Sequence, residues 1–259
     1  MQHRTFKDQL GHIVNVPVNP KKIISLVPSQ TELLYYLGLE KEIVGITKFC
    51  IHPNDSVKTV EKIGGTKKFD FEKIQKINPD LIIANKEENY QEGIEHLRDK
   101  YPVWTSDIYS IDDALLMINE VGKMTETHEK AINLSKNIKL KSNEVIEIHS
   151  GNVLYLIWQN PYMLASNNTF INIVLKHIGF NNLGAIKERY PEIPEKELIN
   201  FSPDYVFLSS EPFPFKEKHL GHYQKLFPNA KIKLVNGEMF SWYGNRMLMA
   251  FDYFKNKLL

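Results

Sequence analysis

Apolar residues recur along this chain in two rhythms. Ile23–Val27 (IISLV), Ile43–Ile46, Leu81–Ala84, Val103–Thr105, Val153–Trp158 (VLYLIW), Tyr205–Leu208 and Lys231–Val235 are short and mostly apolar. That is the mark of strands buried on both faces. Between them, stretches with apolar positions three and four apart predict helices: Thr31 to Gly38, Phe71–Ile77, Tyr90–Lys100, Ile111–Val121, Phe170–Ile178, Glu195–Asn200, His219–Phe227, and a last one from Arg246. Near the N-terminus, Thr5–Asp8 and His12–Val16 flank a Gln9-Leu10-Gly11 turn and predict a small hairpin. Strands alternating with helices argue parallel sheets built from right-handed βαβ units.

The stretch Thr125–Ile148 differs from the rest. It contains neither Gly nor Pro, and Ala131, Leu134, Ile138, Val145 and Ile148 fall on one helical face, with acids and lysines on the others. The pattern predicts one amphipathic helix of about six turns, capped by Thr125 or Thr127 and closed by His149-Ser150-Gly151. On either side of it the chain repeats itself. Lys73–Glu87 (KIQKINPDLIIANKE) aligns without a gap on Glu197–Glu211 (ELINFSPDYVFLSSE), so that Pro79, Asp80 and Glu87 match Pro203, Asp204 and Glu211. The expected architecture is α/β: two Rossmann-like lobes with central parallel sheets, residues 1–123 and 150–259, joined by one long α-helix within 124–149. One continuous doubly wound sheet is the alternative.

Composition narrows the function. The chain has 259 residues, 42% hydrophobic, enough for a substantial core. A net charge of +1 with interspersed signs offers no basic stripe for nucleic acid. The single cysteine, Cys50, excludes an internal disulfide and a multi-cysteine metal site. No apolar run is long enough to span a membrane. Residues 1–20 lack the apolar segment of a secretory signal. The expected compartment is therefore cytoplasmic if Met1 is the native start, and periplasmic or cell-surface if a leader was removed.

In open parallel sheets, ligands sit beyond the carboxyl ends of strands. Here those ends carry Ser29-Gln30, the Cys50-x-His52 loop and Lys86-Glu87 in the first half. The second half offers Trp158, Tyr162, Glu211, Trp242 and Tyr243. If these ends face one another, they form a cleft with aromatic walls and a few charges, suited to a small molecule. Cys50 and His52 are either a soft and an imidazole ligand or a buried thiol beside a solvated ring. Lys86-Glu87 either lines the cleft or opens a helix, where acids suit the dipole. Trp158, Trp242 and Tyr243 are either stacking walls or core. No phosphate loop, nucleophile elbow or zinc-protease motif occurs. Three functions stay open: a receptor feeding an importer, a cytosolic binder or sensor, and a two-lobed nucleotide-sugar transferase.

Several stretches resemble one family across nearly the whole chain: the Thr5–Pro17 hairpin, Lys22–Leu33 with its Pro-Ser-x-Thr-Glu, Gly64–Ala84 with its Pro-Asp strand, the connector, and Asn200–Leu208. In this combination the chain resembles the helical-backbone (class III) substrate-binding proteins of ABC importers, which include vitamin B12, haem and siderophore receptors. The resemblance implies no catalysis and no covalent cofactor. It implies a monomer gripping a corrinoid, haem or ferric chelate between its lobes for a membrane permease. It adds Tyr190 to Trp158 as cleft aromatics. Where such receptors place one Glu per lobe to meet permease arginines, this chain has Glu72 in the first lobe. In the second it has Lys196 between Glu195 and Glu197, which leaves Glu195 as the docking acid. Asn85 stands where the B12 receptor has an aromatic.

Overall fold

A computed structural model describes residues 2–259. The chain folds into two compact units. The first runs to Asn137 and regains Tyr243–Arg246; the second comprises Ile138–Trp242 and Met247–Leu259.

The first unit opens with an antiparallel hairpin, β1 (His3–Lys7) and β2 (Ile13–Pro17). Buried Asp8 closes its turn by accepting from the backbone N–H groups of Leu10 (3.0 Å) and His12 (2.7 Å). Then follow β3 (Ile23–Ser25), α1 (Pro28–Leu37), β4 (Ile43–Ile46), the two-residue strands β5 (Gly64–Gly65) and β6 (Lys68–Phe69), α2 (Phe71–Ile77), β7 (Leu81–Asn85), α3 (Gln91–Arg98), β8 (Val103–Ser106) and α4 (Ile111–Met124). Its main sheet is parallel throughout, in the order β4-β3-β7-β8. Pro28 begins α1, where a missing N–H costs nothing, and Gly38 ends it at φ 88°. Ile24, Ile82, Ala84 and Val103 of the sheet pack against Ile74 of α2 and Ile94 and Leu97 of α3.

α5 (His128–Asn143) carries the chain from the first unit into the second. Ala131, Leu134 and Ile138 are fully buried on its inner face. The predicted helix over 125–148 is therefore correct in its face and too long at both ends. At the N-terminal end Thr125 caps α4, its hydroxyl donating to the Val121 carbonyl (2.8 Å), and Glu126 takes φ 59°. Beyond Asn143, the N–H groups of Glu147 and His149 donate to the carbonyls of His177 and Ile178, so this backbone pairs with another element instead of continuing the helix. Ile148 is exposed rather than buried. Sixteen residues make about four and a half turns, not six.

The second unit continues with β9 (Asn152–Trp158), β10 (Tyr162–Leu164), α6 (Phe170–His177), β11 (Asn181–Asn182), β12 (Glu192–Ile193), α7 (Glu195–Leu198), β13 (Tyr205–Ser209), α8 (Glu217–Leu226), β14 (Lys231–Val235), α9 (Glu238–Ser241) and α10 (Arg246–Asn256). Its sheet runs β12-β10-β9-β13-β14, with β11 also on β9. β9, β11, β13 and β14 are parallel, whereas β10 and β12 are antiparallel additions. The sheet is thus mixed, where a purely parallel one was expected. Leu154, Leu156, Val206 and Leu208 meet Leu198, Tyr223 and Phe227 in its core.

The repeat has a physical cause. Asp80 N donates to the Lys22 carbonyl (2.8 Å), and its carboxylate accepts from the N–H groups of Lys21 (2.8 Å) and Lys22 (3.0 Å). Asp204 does the same to Asn152, with N→O 2.8 Å and the return bond 2.7 Å. In each unit a Pro-Asp step stitches the start of one central strand to the start of its parallel neighbour. A carboxylate accepting backbone N–H groups makes a strong, charge-assisted version of that stitch.

Candidate functional site

The carboxyl edge of the first sheet is held by a buried amide and hydroxyl network. Gln30 Nε2 donates to Ser106 Oγ (2.5 Å), and Asn85 Nδ2 reaches the same oxygen (3.0 Å). Asn85 Oδ1 accepts from the N–H groups of Glu87 (2.9 Å) and Glu88 (3.0 Å), shaping the turn after β7. Asn89 Nδ2 ties the carbonyls of Leu26 and Thr66, both at 3.1 Å, so the tip of β3 and the β5–β6 turn share one anchor. Asn85 is thus a structural residue, which accounts for a polar side chain where the resemblance leads one to expect an aromatic. Ser29 and Gln30 are buried beside the network.

Cys50 is 2% exposed, with Sγ 3.1 Å from Thr31 Oγ1 and 3.3 Å from Thr47 Oγ1. Burial pushes its thiol pKa up, so it is a poor thiolate at neutral pH. His52 is half-buried in the loop beyond. Among the described residues no group of three or more His, Cys, Asp or Glu side chains could hold a metal ion. Lys86 bonds Asp107 (2.7 Å) and the Tyr109 hydroxyl (3.2 Å), and the Asp107 hydrogen bond raises its pKa.

Next to this edge lies an open cleft of about 780 Å³, lined by Lys48, Phe49, the Gly64–Phe69 turn, Asp70, Phe71 and Glu72. Asp70 caps α2 by accepting from Lys73 N (3.1 Å), and Glu72 stands exposed in the first turn of that helix. Lys48, Phe49, Lys67 and Lys68 escaped the sequence reading. The dipeptide Gly64-Gly65 signals a turn, and a turn delivered to a strand edge also presents the residues that follow it.

On the second sheet, Trp158 ends the central strand β9 and keeps 37% of its surface exposed. Phe213 lies against it at 5.5 Å in an edge-to-face arrangement. Glu211 and Trp242 meet directly: Glu211 Oε1 accepts from Trp242 Nε1 (3.0 Å) and Ser241 Oγ (2.7 Å). Trp242 and Tyr243 are buried, 8% and 6% exposed, and Tyr243 belongs to the first unit. Tyr190 is half-buried in the loop before β12. Tyr162 and Glu195, assigned to ligand and permease respectively, also touch. The Tyr162 hydroxyl donates to Glu195 Oε2 (2.8 Å) and lies 2.7 Å from His222 Nε2. With the phenol O–H directed at the carboxylate, the imidazole must donate to the phenol oxygen. Burial first, then Glu195, pushes the Tyr162 pKa up to about 12.

Two edges of strand tips, one with lysines and one with an exposed aromatic, suit the binding of a small molecule. The family model described as periplasmic binding protein matches residues 23–229. The chain belongs to that family. This bears out the resemblance carried by the Pro-Ser-x-Thr-Glu and Pro-Asp stretches. The chain is a non-catalytic substrate-binding protein, and the transferase reading falls. An uncharacterized ABC transporter substrate-binding lipoprotein of Bacillus subtilis is 27% identical over 214 residues, 78% of this chain and 68% of its own length. The fold also matches the periplasmic vitamin B12 binding protein BtuF of Vibrio cholerae (TM-score 0.80, 20% identity, 92% of this chain and 96% of that one). It matches the periplasmic heme-binding protein RhuT from Roseiflexus sp. RS-1 as well (TM-score 0.77, 17% identity, 91% and 97%). None of these relatives supports a cytosolic sensor. Among the described residues no helix is long and apolar enough to cross a membrane.

Proposed function

We propose that this chain is the extracytoplasmic receptor of an ABC importer for a flat or chelated metal compound, of the corrinoid, haem or ferric-chelate class. The observation that carries the reading is Trp158, a large aromatic left exposed at the carboxyl end of a central strand and steadied by Phe213. A solvated indole at a strand tip is a stacking platform for a macrocycle or an aromatic chelator. Relatives named for vitamin B12 and heme share the fold and support the same ligand class. Lobes at 1–123 and 150–259 with a connector at 124–149, and a monomeric state, belong to this proposal.

Docking to a permease falls to Glu72, which is exposed, and to Glu195, whose carboxylate Tyr162 orients. With Lys196 next to it, a fixed Glu195 presents its charge more reliably than a freely rotating one.

A thermal-shift panel of cyanocobalamin, haemin and ferric siderophores tests the reading. Ligand at a hundredfold over its Kd adds about 2.7 kcal/mol of stability. Trp158→Ala should abolish the shift. A full shift retained by the variant removes Trp158 from the site, and no shift with any member of the panel refutes the receptor.

A further inference from the structure

The cleft in the first unit has an unbalanced set of charges. Lys48, Lys67 and Lys68 all line it and are exposed. None of the three ammonium groups meets a carboxylate among the described residues: Lys48 lies over the Phe49 ring at 5.1 Å, and Lys67 donates to the Glu87 carbonyl at 2.6 Å. The neighbouring Lys86, by contrast, is matched by Asp107. Of the two acids in the cleft, Asp70 is committed to capping α2. A Cβ on Gly65 would come within 3.2 Å of the Phe49 ring, tighter than an ordinary contact, and 3.5 Å of the Lys48 chain, so the glycine lets the ring lie close against the turn. Phe49 stays 50% exposed there.

Like charges gathered in a concave surface repel one another until an anion arrives, and a cleft concentrates their field. We propose that the ligand of this receptor is anionic, a metal chelate carrying free carboxylates or comparable acidic groups, and that Lys48, Lys67 and Lys68 receive those groups while Phe49 faces the chelator's apolar surface. This rests on the receptor reading above and adds to it the charge of the cargo and the residues that read it. The cleft's volume of about 780 Å³ is of the size that takes part of such a molecule.

The test is a set of titrations of the full chain, followed by tryptophan fluorescence, with three probes. Haemin carries two carboxylates, ferric citrate is anionic throughout, and cyanocobalamin has no net charge. One of the anionic probes should bind more tightly than cyanocobalamin. Its affinity should fall with added salt. It should also weaken about tenfold in the triple variant K48Q/K67Q/K68Q, which corresponds to about 1.4 kcal/mol. The variant's Tm should stay at the wild-type value, since the three side chains are exposed. If the triple variant binds the anionic probe as tightly as wild type, or cyanocobalamin binds at least as tightly as both anionic probes, the anionic assignment is overturned and the receptor reading stands. If no probe binds at submillimolar concentration, both are overturned.

Discussion

Loss of the Arg246 side chain should cost a large part of the stability. The arginine sits at the start of α10 in the short segment Tyr243–Arg246 that belongs to the first unit. Two parallel bonds, Nε–Oε2 at 2.8 Å and Nη2–Oε1 at 2.7 Å, hold it to Glu32 of α1. The side chains are only 6% and 12% exposed. A guanidinium and a carboxylate paired in this fork satisfy each other, but neither can be removed alone without stranding a charge. Arg246→Met keeps the apolar stem and deletes the fork. Breaking such a buried pair from one side costs about 3–5 kcal/mol, a large share of the roughly 5–15 kcal/mol that keeps a protein folded. At about 2–4 °C per kcal/mol for a chain of this size, Tm should drop by roughly 6–20 °C. Urea unfolding of wild type, E32Q, R246M and the double variant gives the coupling, which should reach about 1–3 kcal/mol. An R246M protein within about 1 kcal/mol of wild type would show that the segment is held by packing alone and that the ion pair contributes nothing.

Asp80→Ala and Asp204→Ala should each cost about 1–3 kcal/mol in urea unfolding, the larger loss at Asp80, whose carboxylate accepts two backbone N–H groups against one at Asp204. Equal losses, or none, would deny the stitch its role in the repeat. Cys50 should react with a thiol reagent only as fast as the native state opens, because it is buried and its pKa is raised; prompt labelling of folded protein at neutral pH would contradict its placement. Burial, and then Glu195, pushes the Tyr162 phenol up to about 12, above the value near 10 of an unfolded tyrosine. Its neutral form therefore supports the fold fully below pH 10, and that support is lost as pH rises from 10 toward 12. Tyr162→Phe should flatten the alkaline fall in stability; an unchanged slope would mean that burial and Glu195 do not hold the phenol in its neutral form.

Local rules reached a good part of this structure. The Pro-Asp repeat was legible because each copy makes the same bonds with nearby partners in the sheet. The inner face of α5 was legible because Ala131, Leu134 and Ile138 keep helical spacing. What closed α5 was not, since Glu147 and His149 spend their N–H groups on the end of α6, some thirty residues onward. The antiparallel strand β10 was missed because Tyr162–Leu164 is too short to show alternation. The site shows the same division. Trp158 at a strand end is visible in one dimension. Gln30 is a different case, because its donor group is taken by Ser106, and Glu211 answers the indole of Trp242; both pairings are long-range. Such bonds decide whether a polar residue at a strand tip faces a ligand or the interior, and no local pattern records them.

The three tryptophans offer the most direct measurement. Trp104 is fully buried with its indole N–H on the Lys7 carbonyl, Trp242 is buried against Glu211, and Trp158 alone of the three is exposed. Nitrogen-15 labelling of the indoles gives three resolvable NMR signals, and a bound paramagnetic chelate such as haemin broadens those nearest its metal. On titration with haemin or ferric citrate the Trp158 signal should broaden first and most, while Trp104 stays sharp. Saturable binding that leaves Trp158 untouched, or that broadens Trp104 instead, would contradict a ligand held at the carboxyl ends of the strands.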